Sequence, residues 1–229
     1  MCRHCVRFWT IAGLAVLAPW LLAIAQTAAN GPTRFVPGDV IVKFTDASDF
    51  GARVTRAMRA ASMPAEIEAV ATHLSTELGV PLVAVRVTSG RELVLSVERD
   101  RLVQALARRV ERDADVRAVA RVDEPRTVLP AARIALAVDL RGDSEAGRQV
   151  RAAARAGQRT TPGVDALVAK LAGDAQPRPS GYVSGRGQLV FTIDVAALTR
   201  DLVERLKRRA DVEYAQVSHI VRPFPGAPN

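Results

Sequence analysis

Side chains that could support catalysis are few in this 229-residue chain. The histidines are His4, His73 and His219, and the cysteines are Cys2 and Cys5. A nucleophilic triad needs a histidine beside a serine and a carboxylate, and a zinc site needs histidine or cysteine at set spacings. The sequence contains no Gly-x-Ser-x-Gly elbow and no His-x-x-x-His pair. It therefore predicts a protein that is not an enzyme and that binds neither a metal nor a cofactor.

Two other patterns suggest chemistry but have simpler interpretations. The run Gly181-x-x-x-Gly185-x-Gly187 has the spacing of a phosphate-binding loop, yet it lacks the Lys-Ser/Thr pair and joins two predicted strands. We therefore predict a hairpin turn there. The basic residues of two predicted helices lie away from the leucine stripe of each helix, which predicts a solvated helix side rather than a binding patch; they are Arg101, Arg108, Arg112, Arg200, Arg205, Lys207 and Arg208.

The elements that would position any site occur twice. Shifting the sequence by 96 positions places Leu93-Val94-Leu95 over Leu189-Val190-Phe191, and the match runs on to Ala114-Asp115-Val116 over Ala210-Asp211-Val212. Gly51 falls over Gly147 at the same shift. A match of this length indicates duplication of a whole folding unit. We predict units of roughly 90 residues at 35–123 and 133–222, a proline-containing linker at 124–132 and a tail at 223–229.

Each unit has the periodicities of a β-α-β-β-α-β order. Alternating apolar residues predict strands at 39–44, 82–87, 93–97 and 116–122, after a turn at 35–38. Leucine stripes predict a helix from Pro64 to Gly79 and a second one carrying Leu102 and Leu106, with Asp100 as its N-cap. In the second unit the last strand is predicted at 212–221. Right-handed crossovers in this order give an α+β fold of two tandem ferredoxin-like units, each a four-stranded antiparallel sheet with both helices on one face.

The first 25 residues read as a secretory signal peptide. Arg3 and Arg7 precede an apolar run that ends in Ala23-Ile24-Ala25. An uncleaved membrane anchor is the alternative, and it is the one way in which a membrane would become a partner. Both cysteines would leave with this segment, so no disulfide is predicted in the exported protein, which would be periplasmic or secreted. Removing Arg3 and Arg7 lowers the formal net charge from +8 to +6, and export argues against nucleic acid as a partner.

Several segments carry a resemblance to a known family. They are Val36-Pro37-Gly38-Asp39-Val40-Ile41-Val42-Lys43-Phe44, Gly79-Val80-Pro81-Leu82, Val85-Arg86, Gly90, the helix end Arg112-Asp113-Ala114-Asp115-Val116, and Ala210-Asp211-Val212-Glu213-Tyr214-Ala215. These segments resemble the N-terminal prodomains of secreted subtilisin-like serine proteases, although no protease domain is present in the 229 residues. The first segment resembles the entry strand of those prodomains, and the last resembles their exit strand.

The resemblance implies an inhibitor and intramolecular-chaperone fold. The open sheet face would dock on two surface helices of a subtilisin-like protease, and the segment after the last strand would lie extended in the substrate cleft. By position, the docking strand would end with Tyr214, Ala215, Gln216 and Val217, or with Ala118, Val119 and Ala120 in the first unit. The tail that enters the cleft would comprise Ser218, His219, Ile220, Val221 and Arg222.

The sequence also departs from the family pattern. The Glu-Pro-Asp that usually follows the tyrosine is replaced by Gln216-Val217-Ser218. The alternative hypothesis is a periplasmic tandem ferredoxin-like scaffold whose partner is unrelated to proteases, and an enzyme with a cleft between the units is a third. Which unit would be active, and the oligomeric state, stay open at this point.

Overall fold

The computed structural model describes residues 35–59, 63–122 and 132–219, and the predicted signal peptide and tail lie outside these ranges. The strands are β1 (Phe35–Phe44), β2 (Leu82–Val87), β3 (Leu93–Val97), β4 (Val116–Arg121), β5 (Arg133–Leu140), β6 (Ser180–Val183), β7 (Leu189–Asp194) and β8 (Val212–His219). The helices are α1 (Asp49–Ala57), α2 (Ala65–Leu78), α3 (Arg99–Val110), α4 (Glu145–Arg155), α5 (Pro162–Ala172) and α6 (Val195–Lys207). The predicted fold class is confirmed, because the chain is α+β with two four-stranded antiparallel sheets.

The duplication extends to local structure at α1 and α4. Ser48 caps α1 by accepting a hydrogen bond from the amide of Gly51, and Ser144 caps α4 through the amide of Gly147 in the same way. A Cβ on either glycine would lie 2.1 or 2.0 Å from a carbonyl oxygen of the preceding turn. Glycine is therefore required at this position in both repeats, since the backbones approach too closely for a side chain.

Two local predictions need correction, and a third is only partly covered by the described residues. Residues 35–38 are the start of β1 rather than a turn, and Gly38, with φ +104°, lies in a bulge of that strand. The N-cap of α3 is Glu98, and Asp100 lies in the first turn, where it pairs with Arg121 at 2.5 Å. The last strand is described as far as His219, and residues 220 and 221 lie outside the described ranges.

The two sheets exchange their last strands. Sheet one has the order β2-β3-β1-β8, and sheet two has the order β4-β5-β7-β6. Strand β8 of the second repeat pairs with β1, placing Gln216 opposite Ile41, and β4 of the first repeat pairs with β5, placing Ala120 opposite Ala137. The limits 35–123 and 133–222 therefore mark the repeats in sequence, while each sheet takes its fourth strand from the other repeat.

The helix before each exchanged strand also packs on the sheet that the strand joins. Helix α6 packs on β1 and β8, and α3 packs on β4, β5 and α5. Thr199 of α6 is fully buried, and its hydroxyl accepts a hydrogen bond from the Gly38 amide (2.7 Å) while donating to the carbonyl of Val195 (2.6 Å). At the equivalent position of α3 the residue is Val103, which has no hydroxyl to offer. Helix α6 therefore satisfies the bulge amide of β1 through a side chain that α3 lacks.

Charges beside the exchanged strands select the same arrangement. Lys43 pairs with Glu213 at 3.0 Å in sheet one, and Asp139 pairs with Arg117 at 3.1 Å in sheet two. The repeat shift places Lys43 over Asp139 and Arg117 over Glu213. If each repeat closed on its own last strand, Lys43 would face Arg117 and Asp139 would face Glu213. Like charges at neighbouring strand positions are destabilising, so the charge pattern disfavours the unexchanged sheets.

One hydrophobic core spans both sheets, and all the helices contribute to it. In β1 the side chains of Val40, Val42 and Phe44 are buried, and the same alternation places Leu93, Leu95 and Val97 of β3 in the core. Because successive side chains of a strand point to opposite faces, the helices cover one face of each sheet and leave the other uncovered. This arrangement positions the surfaces described next.

Cysteine cross-linking tests the exchange. Ile41→Cys with Gln216→Cys should form an intramolecular disulfide under mild oxidation, because directly opposed strand residues lie within disulfide range. Ile41→Cys with Ala120→Cys is the matched control, since Ala120 occupies the repeat position of Gln216 and would face Ile41 if each repeat closed on itself. Peptide mapping by mass spectrometry, on protein lacking Cys2 and Cys5, reads out the bond. Efficient oxidation of the control pair in monomeric protein would contradict the strand order.

Candidate protein-binding surfaces

Each sheet presents one face that carries no helix from the described ranges. We define face one as the uncovered surface of sheet one and face two as the uncovered surface of sheet two. Face one is formed by Ile41, Lys43, Arg86, Val94, Ser96, Tyr214 and Gln216. Face two is formed by Ala118, Ala120, Ala135, Ala137, Tyr182, Val190 and Thr192.

A buried valine lies at the centre of each face. Val94 and Val190 are exposed to 3% and 4%, yet among the described buried hydrophobic residues they alone lie outside the core cluster. They occupy the same position in the two repeats. Their cross-strand neighbours on the sheet surface are Ile41 and Arg86 for Val94, and Ala137 and Tyr182 for Val190. Each face therefore has an apolar centre that is separate from the core.

A hydrogen-bonded polar network borders the centre of face one. The Tyr214 hydroxyl donates to Glu92 Oε1, and the Thr88 hydroxyl donates to Glu92 Oε2 at 2.6 Å. The Lys43 ammonium lies 5.8 Å from the centre of the Tyr214 ring. The hydrogen bond to the Glu92 carboxylate raises the pKa of Tyr214 to about 12, and the bonds from Thr88 and then Tyr214 lower the pKa of Glu92. The network ties edge strand β8 to the end of β3.

Face two is flatter and less charged. Its edge strand β4 carries alanine at 118 and 120, and the neighbouring strand β5 carries alanine at 135 and 137, so little projects from the backbone there. Polar groups lie toward its edges: Asp139 accepts from Gln188 (2.9 Å) and Arg117 (3.1 Å), and the first of these bonds is the main cause of its lowered pKa. The Arg159 guanidinium stacks 4.7 Å from the ring of Tyr182. Face two thus lacks the continuous polar border that face one has.

The predicted docking residues divide between surface and core. Tyr214 and Gln216 lie on face one, whereas Ala215 and Val217 point toward the core, where Ala215 is exposed to only 3%. In the first repeat, Ala118 and Ala120 lie on face two, and Val119 packs against the core. Treating these runs as continuous docking segments overlooked the alternation of a strand.

The predicted cleft-entering tail is described only at its start. Ser218 is half-buried near the end of β8, and His219 is exposed and pairs with Phe35 of β1. Ile220, Val221 and Arg222 lie outside the described residues. The first two residues of the predicted tail are therefore part of edge strand β8.

Groups that could act in catalysis are dispersed. His73 lies on the exposed side of α2, 3.7 Å from Glu77, and its ring contacts Phe50 edge-on. Within the described ranges no group of three or more histidine, cysteine, aspartate or glutamate residues could hold a metal ion. The Gly181–Gly187 run joins β6 to β7 with a turn closed between Ser184 and Gln188, as predicted for a hairpin.

The sequence analysis did not predict two features of the structure, the strand exchange and a groove beside α3. The strand exchange had a readable signal, because the charges at 43 and 139 and at 117 and 213 are opposite between repeats. A groove of about 570 Å³ beside α3 had none, because the 175–177 segment that forms its other wall is distant in sequence. Arg108, Arg109 and Arg112 line it, although Arg108 and Arg112 were predicted to lie on a simply solvated helix side.

Comparison of the chain with protein-family models, curated proteins and solved structures gives no match. The resemblance to subtilase prodomains therefore stays a prediction that rests on the residues quoted above. No helix in the described part of the chain has both the length and the apolar character needed to cross a bilayer.

The polar network of face one predicts an alkaline loss of stability. Because the folded pKa of Tyr214 lies above its ordinary value of 10, its hydrogen bond contributes fully below pH 10 and is lost as pH rises from 10 to about 12. Tyr214→Phe should lower the free energy of unfolding at pH 8 by about 1 kcal/mol. Urea denaturation of both proteins between pH 8 and pH 12 should show the difference narrowing toward pH 12.

Tyr182→Phe is the control for this measurement. Its hydroxyl makes no hydrogen bond to any described residue, so its removal should change stability at pH 8 by less than about 0.5 kcal/mol. Equal losses for the two variants would contradict the assignment of the Tyr214–Glu92 bond as the stabilising contact.

Proposed function

We propose that this chain is an exported, non-catalytic binding protein that docks on a subtilisin-like serine protease in trans and acts as its inhibitor or folding chaperone. The proposal rests on the prodomain-like segments, on the helix-free sheet faces and on one feature of the fold. That feature is the pairing of β1 with β8.

The exchange places both family-like strands in one sheet. The entry-strand segment at 36–44 lies in β1, in the first repeat, and the exit-strand segment at 210–215 leads into β8, in the second repeat. The two strands are hydrogen-bonded neighbours, with Val42 opposite Ala215 and Lys43 opposite Tyr214. The third segment, at 79–82, leads into β2 of the same sheet. Sheet one therefore combines the segments that carry the resemblance except Arg112–Val116, which follows α3 and leads into β4 of sheet two. On this basis we assign the docking role to face one.

The chemistry of face one suits a protein partner. A specific interface has an apolar centre surrounded by polar groups that fix its orientation. Face one has Ile41 and Val94 at its centre, and Lys43, Glu92 and Tyr214 at its border. The Glu92 carboxylate already accepts hydrogen bonds from Tyr214 and Thr88, so docking over them leaves none of these side chains without a hydrogen-bond partner.

Strand β8 lies at the edge of sheet one, where the segment that follows it could reach a partner docked on face one. Strand β8 is an edge strand, so one side of it carries no neighbouring strand in the described structure. A partner segment placed beside it would gain main-chain hydrogen bonds, with alternate side chains giving specificity. In this proposal residues 218–222 continue from the docked edge into the substrate cleft.

A scaffold for an unrelated partner remains the second candidate function. Its support is the replacement of Glu-Pro-Asp by Gln216-Val217-Ser218 and the intramolecular bond of Tyr214 to Glu92. On that hypothesis face one still binds a protein, but the tail contributes nothing to the affinity.

Protease titration tests the proposal. Protein spanning residues 26–229 should inhibit or bind a subtilisin-type protease, measured by residual activity on a chromogenic peptide and by calorimetry. Deletion of residues 218–229 should weaken inhibition at least tenfold, because the cleft-entering segment is removed. Folded protein that neither binds nor inhibits at high micromolar concentration would falsify the protease assignment. Binding that survives the deletion unchanged would favour the scaffold.

A matched pair of substitutions identifies the docking face. Gln216→Arg places a large charge on face one, and Ala120→Arg places the same charge at the equivalent exposed position of face two. We expect at least a tenfold loss of protease affinity for the first variant, and a change of less than twofold for the second. The reverse order would transfer the docking role to face two.

A further inference from the structure

The groove beside α3 is a second binding surface that the protease proposal does not use. It lies between the C-terminal half of α3 and residues 175–177, which follow α5, and it holds about 570 Å³. Pockets that accept small ligands or several side chains fall in the range of about 300–1,000 Å³. The groove is therefore large enough to receive a short segment of another molecule.

The floor of the groove is apolar, and one wall is basic. Leu102, Leu106 and Ile193 form the floor and are each exposed by no more than 5%, and Pro177 flanks them. Arg108, Arg109 and Arg112 form the wall on α3. Because Arg109 pairs with Asp174 across one end of the groove, its charge is already compensated and it fixes the wall position.

The other two arginines have no such compensation. Arg108 and Arg112 are exposed, and neither makes an ion pair or side-chain hydrogen bond with any described residue. At the repeat-equivalent positions α6 has Glu204 and Arg208, and Glu204 there pairs with Lys207 at 2.9 Å. Two uncompensated guanidinium groups beside an apolar floor are thus a property of α3 and not of the duplicated unit.

The second wall is also particular to one repeat. The connection from α5 to β6 spans residues 173–179, whereas the connection from α2 to β2 spans residues 79–81. The longer connection supplies Ala175, Gln176 and Pro177 to the groove. Both walls of the groove therefore consist of features that differ between the two repeats.

We propose that this groove binds an acidic peptide segment in which one or two apolar side chains are flanked by aspartate or glutamate. The apolar side chains would lie on Leu102, Leu106 and Ile193, and the carboxylates would pair with Arg108 and Arg112, whose planar guanidinium groups accept bidentate pairing. A flat anionic bilayer fits the site less well, because it would contact the rim arginines without reaching the floor. Charge complementarity and the concave apolar floor together specify the occupant.

Fluorescence anisotropy tests this site with a defined probe. A fluorescein-labelled hexapeptide of two leucines flanked on each side by aspartate and glutamate should bind the full chain in the micromolar range at 150 mM salt, where long-range attraction is largely screened. A peptide with serine in place of leucine, and one with lysine in place of the acids, should each bind at least tenfold more weakly.

Arg108→Glu combined with Arg112→Glu should reduce binding of the acidic peptide at least thirtyfold. The control is Arg155→Glu combined with Arg208→Glu, which makes the same change in net charge at exposed arginines outside the groove and should change affinity less than twofold. Circular dichroism melting curves confirm that both variants fold.

Three outcomes would overturn the proposal. They are no binding of the peptide by the unaltered chain at millimolar concentration, equal losses for the groove and control variants, and arginine-dependent binding of phosphatidylglycerol vesicles without binding of the peptide. None of these outcomes bears on protease docking at face one, so the two proposals fail independently.

Discussion

The pairing of β1 with β8 is the constraint on which the rest of this structure depends. It is held by three contacts that the first repeat's own last helix and strand cannot make. Thr199 satisfies the buried amide of Gly38, Glu213 neutralises Lys43, and Tyr214 binds Glu92. In a self-closed first unit these positions would be Val103, Arg117 and Ala118. An unsatisfied buried amide alone costs about 1–3 kcal/mol, which is a large fraction of the stability of a small domain.

The exchange also explains why one core serves two sheets. A ferredoxin-like unit normally buries its sheet under its own two helices, but here α6 covers sheet one and α3 covers sheet two. Residues of α6 such as Leu198, Leu202 and Leu206 therefore contribute burial energy to strands from the other repeat, at roughly 1.5–3 kcal/mol for each fully buried side chain. Folding of one sheet is coupled to the other through the chain itself, which compensates for the small size of each unit.

The sequence was sufficient for the fold class and insufficient for its connectivity. Strand alternation and leucine spacing predicted nearly every element, because both depend on local periodicity alone. These patterns do not determine whether β4 or β8 joins a given sheet, because the two strands have the same alternation of apolar residues. That choice depends on residues that differ between the copies, such as Thr199 against Val103 and Glu213 against Arg117. The same alternation, applied to Tyr214 through Val217, would have separated the surface residues of the docking strand from those in the core.

Divergence between the copies follows from this connectivity. Sheet one contains the strands that resemble the prodomain segments, and its face is bordered by a satisfied polar network. The helix and strand that the first repeat contributes to sheet two make only part of these contacts. Arg99 of α3 donates to the Pro37 carbonyl beside the bulge at 2.7 Å. However, α3 has Val103 where α6 has Thr199, and β4 has alanine where β8 has Tyr214 and Gln216. Alanine at those two positions leaves face two flatter than face one. Because each sheet takes its fourth strand from the other repeat, neither sheet can form without both repeats. The side chains of one surface can therefore stay the same while those of the other surface change.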